Sequence, residues 1–131
     1  MHEAAVKAMD WVAPNVLISG GGTTDRKMKF WKDGLGITKE IDTGSQVCGI
    51  IVSTNTSEIV TCQGFSLNQI IIWNMEGNRE LIVHGHKKRV LYCALGPGGR
   101  FVATGAGDQV VHVWKFFDSY WEENWCLPDI R

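Results

Sequence analysis

Short runs of β-branched and aliphatic residues, separated by glycine-containing turns, recur along the chain and end three times on an apolar residue followed by tryptophan: Phe30-Trp31, Ile72-Trp73 and Val113-Trp114. The steps between these tryptophans are 42 and 41 residues. A period of about 40–45 residues with a Trp near the end of each unit is the spacing of propeller blades. Aligned on the tryptophans, Val6, Val47 and Val90 open matching apolar segments. The runs Val16-Leu17-Ile18-Ser19, Glu58-Ile59-Val60-Thr61 and Phe101-Val102-Ala103-Thr104 follow, and then the Trp-terminated runs. A further strand follows the first two tryptophans, at Thr38-Lys39-Glu40-Ile41 and Arg79-Glu80-Leu81-Ile82-Val83. The pattern predicts an all-β chain of eleven strands, a fragment of a β-propeller of about three four-stranded blades. The units span about residues 1–42, 43–84 and 85–115, with a tail at 116–131.

Polar residues recur where a blade needs internal hydrogen bonds. His86, Thr104, Asp108 and Trp114 can form one chain, in which Asp accepts from turn amides and imidazole while the hydroxyl meets imidazole and indole. His2, Ser19, Asp25 and Trp31 repeat the set in the first unit, with two more residues in the turn. The middle unit keeps Thr61 and Trp73, but Thr43 stands where His is expected and Leu67 where Asp is expected, so it is expected to be the softest of the three.

A His, a Ser or Thr and an Asp also compose a hydrolase triad, but recurrence at one period in two units is what a structural role requires and catalysis does not. His86 and Asp108 acting as a hydrolase pair is the rival reading, removed if both pack against Thr104 and Trp114. His84 and His86 lack a third metal ligand at a convincing spacing. Gly20-Gly21-Gly22 is not followed by the Lys-Ser/Thr of a phosphate cradle. No catalytic residue, metal or cofactor is assigned.

Charge and cysteine content narrow the class further. The formal charge is −1 and the one basic triplet is Lys87-Lys88-Arg89, too little for a nucleic-acid or membrane-surface footprint. No apolar stretch approaches the roughly 20 residues of a membrane span, and the first residues lack the regions of a signal peptide. Cys48, Cys62, Cys93 and Cys126 form no Cys-x-x-Cys pair and read as reduced, mostly buried thiols of an intracellular protein.

Six ordered motifs then become more specific than the repeat. They are His2-x-Ala4-Ala5-Val6-Lys7-Ala8, Gly20-Gly21-Gly22-Thr23-Thr24-Asp25-Arg26, Asp42-Thr43-Gly44-Ser45-Gln46-Val47-Cys48, Asn68-Gln69-Ile70-Ile71-Ile72-Trp73, Gly85-His86 through Arg89-Val90-Leu91, and Thr104-Gly105-Ala106-Gly107-Asp108. Together with the final Ile130-Arg131, this series resembles the Fizzy and Fizzy-related family of WD-repeat activators, in their C-terminal part. The resemblance implies a seven-bladed propeller that brings degron-bearing cell-cycle substrates to the anaphase-promoting complex, a ubiquitin ligase, and a place in nucleus and cytoplasm. It implies that Thr23, Gln46 and Arg89 line part of a pocket for the Lys-Glu-Asn degron. It also implies a destruction-box groove, where Gln109 stands in place of a frequent acidic residue and weakens ionic pairing with the degron's Arg.

Beyond Trp114, Ser119 and Glu122 have capping-box spacing and Phe117, Trp121 and Trp125 recur every four residues, which predicts a short helix stopped before Pro128. The extended end carries an apolar side chain, a guanidinium and a carboxylate, suited to capture in a groove. By resemblance, Ile130 and Arg131 dock into helical-repeat subunits of the ligase. A generic propeller scaffold that no longer activates the ligase is the alternative.

Overall fold

The computed structural model describes residues 1–64 and 66–117; the predicted tail helix and the Ile130-Arg131 terminus lie outside the described residues. Eleven strands form three antiparallel sheets, with one 3-10 turn at Pro97–Gly99. The first sheet contains β1 (Ala8–Ala13), β2 (Val16–Gly20), β3 (Lys27–Lys32) and β4 (Gly36–Asp42) in chain order. The second has β5 (Val47–Ser53), β6 (Glu58–Gln63), β7 (Ile70–Asn74) and β8 (Arg79–Val83), and the third β9 (Val90–Leu95), β10 (Phe101–Ala106) and β11 (Val111–Lys115). The chain is an all-β propeller fragment.

Alternation along each strand sends one set of side chains to each face, and the sheets stack so that both faces of the middle one are covered. Ile59, Ile71 and Trp73 face the first sheet, where they join Ile18, Met28 and Phe30 in one core. Val60, Cys62, Ile70 and Ile72 face the third sheet and meet Val90, Val102 and Trp114 in a second core. Phe117 extends that second core, and its amide donates to the Arg100 carbonyl at 3.2 Å.

Bulges recur at matching points. The register shifts between Val47 and Gly49 and, in the third sheet, where Ala106 pairs with Val90 and Gly105 with Tyr92. It shifts again just before Trp31 and just before Trp73. An extra residue at a fixed place re-aims the neighbouring side chains in each sheet.

The first strand differs from its expected start. Val6 is exposed and β1 begins at Ala8, whereas Val47 and Val90 are fully buried at the heads of β5 and β9. The difference lies in the neighbour: Val47 presses onto the backbone of Gly20 in the preceding sheet, and among the described residues no sheet lies before Val6 to receive it in the same way. A Cβ added at Gly20 would lie 2.6 Å from Val47 Cβ and 3.2 Å from Ile50 Cδ1. Gly20→Ala is therefore expected to destabilise by about 1–3 kcal/mol through overpacking. Adding Val47→Ala should make the pair strongly non-additive in denaturant unfolding, and simple additivity would contradict the contact.

Candidate functional site

Loops 21–26, 43–46, 64–69, 84–89 and 107–110 all emerge at the same end of the three sheets, because consecutive strands run antiparallel. Buried polar chains fasten this end to the sheets. In the third sheet the Trp114 indole N–H donates to Thr104 Oγ1 at 2.7 Å, and that oxygen is 2.8 Å from His86 Nε2. His86 Nδ1 lies 3.1 Å from Asp108 Oδ2, so Nδ1–H donated to the carboxylate leaves Nε2 to accept from the hydroxyl. The amides of Lys87 and Val110 donate to Asp108 at 2.9 and 3.1 Å. Led by the Lys87 amide, these donors hold the Asp108 carboxyl down at about 2.

The first sheet repeats the chain with Trp31 and His2 at 2.7 and 2.6 Å from Ser19 Oγ, and His2 paired to Asp25 Oδ2. Its longer turn supplies no partner to the buried Asp25 Oδ1. Both sets add a fifth member invisible in the linear pattern. Lys29 donates to the Met1 carbonyl at 2.5 Å, and His112 to the Gly85 carbonyl at 3.0 Å, so each ties down the residue before the tetrad His. Lys29 and His112 occupy equivalent ladder positions, opposite Ser19 and Thr104. Thr104 is buried and engaged by both His86 and Trp114, so its hydroxyl is committed to the structural chain, while Asp108 at the far end of that chain stays partly exposed.

The middle sheet keeps the Trp73 to Thr61 bond at 2.8 Å and fills the missing His and Asp with a different side chain. Gln63 is fully buried: its Nε2 donates to the Thr43 carbonyl at 3.0 Å, and its Oε1 accepts from Ser45 Oγ at 2.8 Å and Gln69 Nε2 at 3.3 Å. Thr43 Oγ1 lies 2.9 Å from the Arg26 carbonyl of the first sheet. Leu67 is partly exposed and sits over Gly44. This network offsets the loss that made the middle unit the expected soft one. Its sequence signal is a large polar residue two places after the strand hydroxyl, where the other units have Gly21 and Ala106.

The degron-site candidates fall on this loop-bearing end in a repeating arrangement. Gln46 and Arg89 each immediately precede the buried valine of their sheet, and their carbonyls accept from Gly64 and Gly107 at 2.9 and 3.2 Å. Gln46 Oε1 and Arg89 Cγ also flank one point, 2.8 and 3.6 Å from where a Cβ on Gly64 would stand. The residue before the valine is thus an equivalent slot in both units, and the loops of two sheets bring the two slots together. Gln46 is buried and Arg89 exposed. Thr23 is exposed at the tip of the β2–β3 turn. Gln109 is exposed with φ 66°, matching Arg26 at 55° and Asn68 at 50° in the turns of the other two sheets. A cleft of about 320 Å³ beside Arg89 is lined by Asn68, Lys87, Lys88, Leu91 and Gly107. A larger depression of about 430 Å³ between Trp11 and Trp31 lies at the opposite end. It opens on the face that, in the second and third sheets, packs against the sheet before it, and so is a stacking face.

Two four-stranded sheets and one three-stranded sheet stacked face to face, each closed by a Trp bonded to a strand hydroxyl, define a segment of a WD-repeat propeller; residues 77–115 match the WD domain, G-beta repeat. Over nine tenths of its length the chain is similar to proteins of the Fizzy and Fizzy-related family. It is 43% identical over 122 residues to the B-type cell cycle switch protein ccs52B of Medicago truncatula, covering 90% of this chain and 25% of that protein. It is 44% identical to Protein FIZZY-RELATED 3 of Arabidopsis thaliana, over 90% of this chain and 25% of the relative. It is 43% identical to the APC/C activator protein CDH1 of Saccharomyces cerevisiae, over 89% of this chain and 21% of the relative. A chain in the crystal structure of the mitotic checkpoint complex superposes with a TM-score of 0.85 at 38% identity, over 89% of this chain and 39% of that one. The chain thus spans about a quarter of the length of these curated relatives.

Two measurements test the polar chains. Thr104→Val leaves Trp114 and His86 without their shared partner, and Gln63→Ala strands Ser45, Gln69 and the Thr43 carbonyl. Each is expected to cost about 1–3 kcal/mol in denaturant unfolding, and a neutral Gln63→Ala would discard the replacement network. The depressed Asp108 carboxyl contributes stability that is complete above its ordinary value of 3.8 and lost as the pH falls toward about 2. The melting temperature should fall through that window in the wild type and fall less steeply in Asp108→Asn.

Proposed function

We propose that this chain forms part of a substrate-recruiting activator of the anaphase-promoting complex, reading degron peptides at the loop-bearing end and docking to the ligase through Ile130 and Arg131. The observation that carries the reading is the pairing of Gln46 and Arg89 from successive units over Gly64, in a chain similar to this family. A guanidinium beside an amide suits an extended peptide with an acidic side chain: Arg89 supplies the charge-assisted bond, while Gln46 offers a neutral donor and acceptor. Thr23 extends the same end. The partners are degron-bearing cell-cycle substrates and helical-repeat subunits of the ligase, and the site is one of recognition without catalysis. Gln109 provides an amide where the destruction-box Arg would gain from a carboxylate, so that contact keeps a hydrogen bond and loses its ionic part. A nuclear and cytoplasmic location accords with this role.

Arg89→Ala is expected to weaken binding of a Lys-Glu-Asn peptide by about tenfold to a hundredfold in titration calorimetry, the worth of one or two charge-assisted bonds. It should leave capture by ligase subunits intact. Deletion of Ile130 and Arg131 should do the reverse. Unchanged peptide affinity in Arg89→Ala defeats the degron assignment, and unchanged ligase capture after the deletion defeats the docking assignment.

A further inference from the structure

Beneath the loops, the second and third sheets bring cysteines together. Cys48 lies on β5, Cys62 on β6 and Cys93 on β9; Cys62 is fully buried, while Cys48 and Cys93 are partly accessible. Gly49 pairs with Cys62 across the β5–β6 ladder, and its missing side chain leaves a notch. The Cys93 sulfur fills that notch. The position a Cβ would take on Gly49 is in direct contact with Cys93 Sγ and lies 3.5 Å from Cys62 Cβ and 3.6 Å from Cys93 Cβ. The third sheet therefore inserts a thiol into the second, beside a thiol that has no access to solvent.

We propose that Cys62 and Cys93 form an oxidisable pair that cross-links the second and third sheets, with Cys93 the thiol that meets a hydroperoxide and Cys62 the thiol that resolves it. Exposure assigns the order, since only Cys93 of the two is reachable from solvent. The hydrogen bond between the two thiols acts in the same direction: it lowers the Cys93 pKa below its ordinary value and raises that of Cys62 well above it. Burial, with a smaller push from Cys93, raises the third thiol, Cys48, against the pull of Lys7 and Arg89. The thiolate is the form that attacks peroxide.

In the first step the Cys93 thiolate sulfur attacks one peroxide oxygen. The O–O bond breaks, an S–OH forms on Cys93, and the other oxygen leaves as hydroxide, which takes up a proton to become water. In the second step the Cys62 sulfur attacks the Cys93 sulfur. The S–S bond forms, and the displaced hydroxide leaves as water with the proton from the Cys62 thiol. Two thiols are oxidised to one disulfide and one peroxide is reduced to two waters. The product ties the sheet that carries Gln46 to the sheet that carries Arg89.

The test is peptide mapping of the full chain, without reductant, after titration with hydrogen peroxide. A Cys62–Cys93 peptide should dominate, two of the four thiols should disappear, and the melting temperature should rise and return with dithiothreitol. Cys48→Ser should leave all of this unchanged. Cys62→Ser should stop at a Cys93 sulfenic acid that dimedone captures; should that variant not fold, the wild-type map decides alone. A dominant link through Cys48 or Cys126, a disulfide between chains, or a Cys93 sulfenic acid that persists in the wild type would overturn the proposal.

Discussion

The constraint on which the rest of the structure depends is one buried hydrogen bond made three times: an indole N–H at the end of the third strand of a sheet donating to a hydroxyl on the second. The distances are 2.7 Å from Trp31 to Ser19, 2.8 Å from Trp73 to Thr61 and 2.7 Å from Trp114 to Thr104. Tryptophan contributes a large apolar face for stacking but carries a donor that cannot be buried alone. Placing the hydroxyl on the neighbouring strand satisfies the donor without water and fixes the ring's orientation. The indoles of Trp73 and Trp114 then lie against the preceding sheets, which sets how sheet stacks on sheet.

Around that bond the three sheets solve one problem in two ways. The end of the strand pair must be connected to the loop that enters the next sheet, and the polar groups at the centre of the connection, Thr61, Gln63, His86 and Thr104, are removed from water. His2 with Asp25 and His86 with Asp108 make the connection through an imidazole, and Lys29 and His112 pin the entering backbone. In the middle sheet Gln63 reaches the same loop with one side chain, and Ile71 occupies the place of Lys29 and His112. The loops at this end are consequently held from below in all three sheets. A recognition surface benefits from this support, because a side chain on an anchored loop loses little freedom when a ligand arrives.

The candidate site follows from the same repetition. The second and third units each offer one position immediately before a buried valine, at the loop-bearing end, whose carbonyl accepts from the glycine of the adjacent turn. Gln46 and Arg89 fill these two positions. Neither belongs to the cores that hold Ile59, Trp73, Val90 and Trp114.

The spacing of Trp31, Trp73 and Trp114, the alternation of the runs between them and the His, hydroxyl and Asp positions were all legible in the chain, because strands and turns are written in local periodicity. Family motifs located Thr23, Gln46, Arg89 and Gln109, although the equivalence of Gln46 and Arg89 emerged only from their shared bonds to glycine amides. The Gln63 network was not legible: Thr43, Ser45, Gln63 and Gln69 converge only when β5 pairs with β6 and the entering loop folds over them. Nor were the carbonyl ties of Lys29 and His112, or the meeting of Cys62 and Cys93 across the notch at Gly49. Local pattern determines which face of a strand is apolar. Contacts between sheets depend on how whole faces stack, so the partners of buried polar groups and thiols were decided by the tertiary structure.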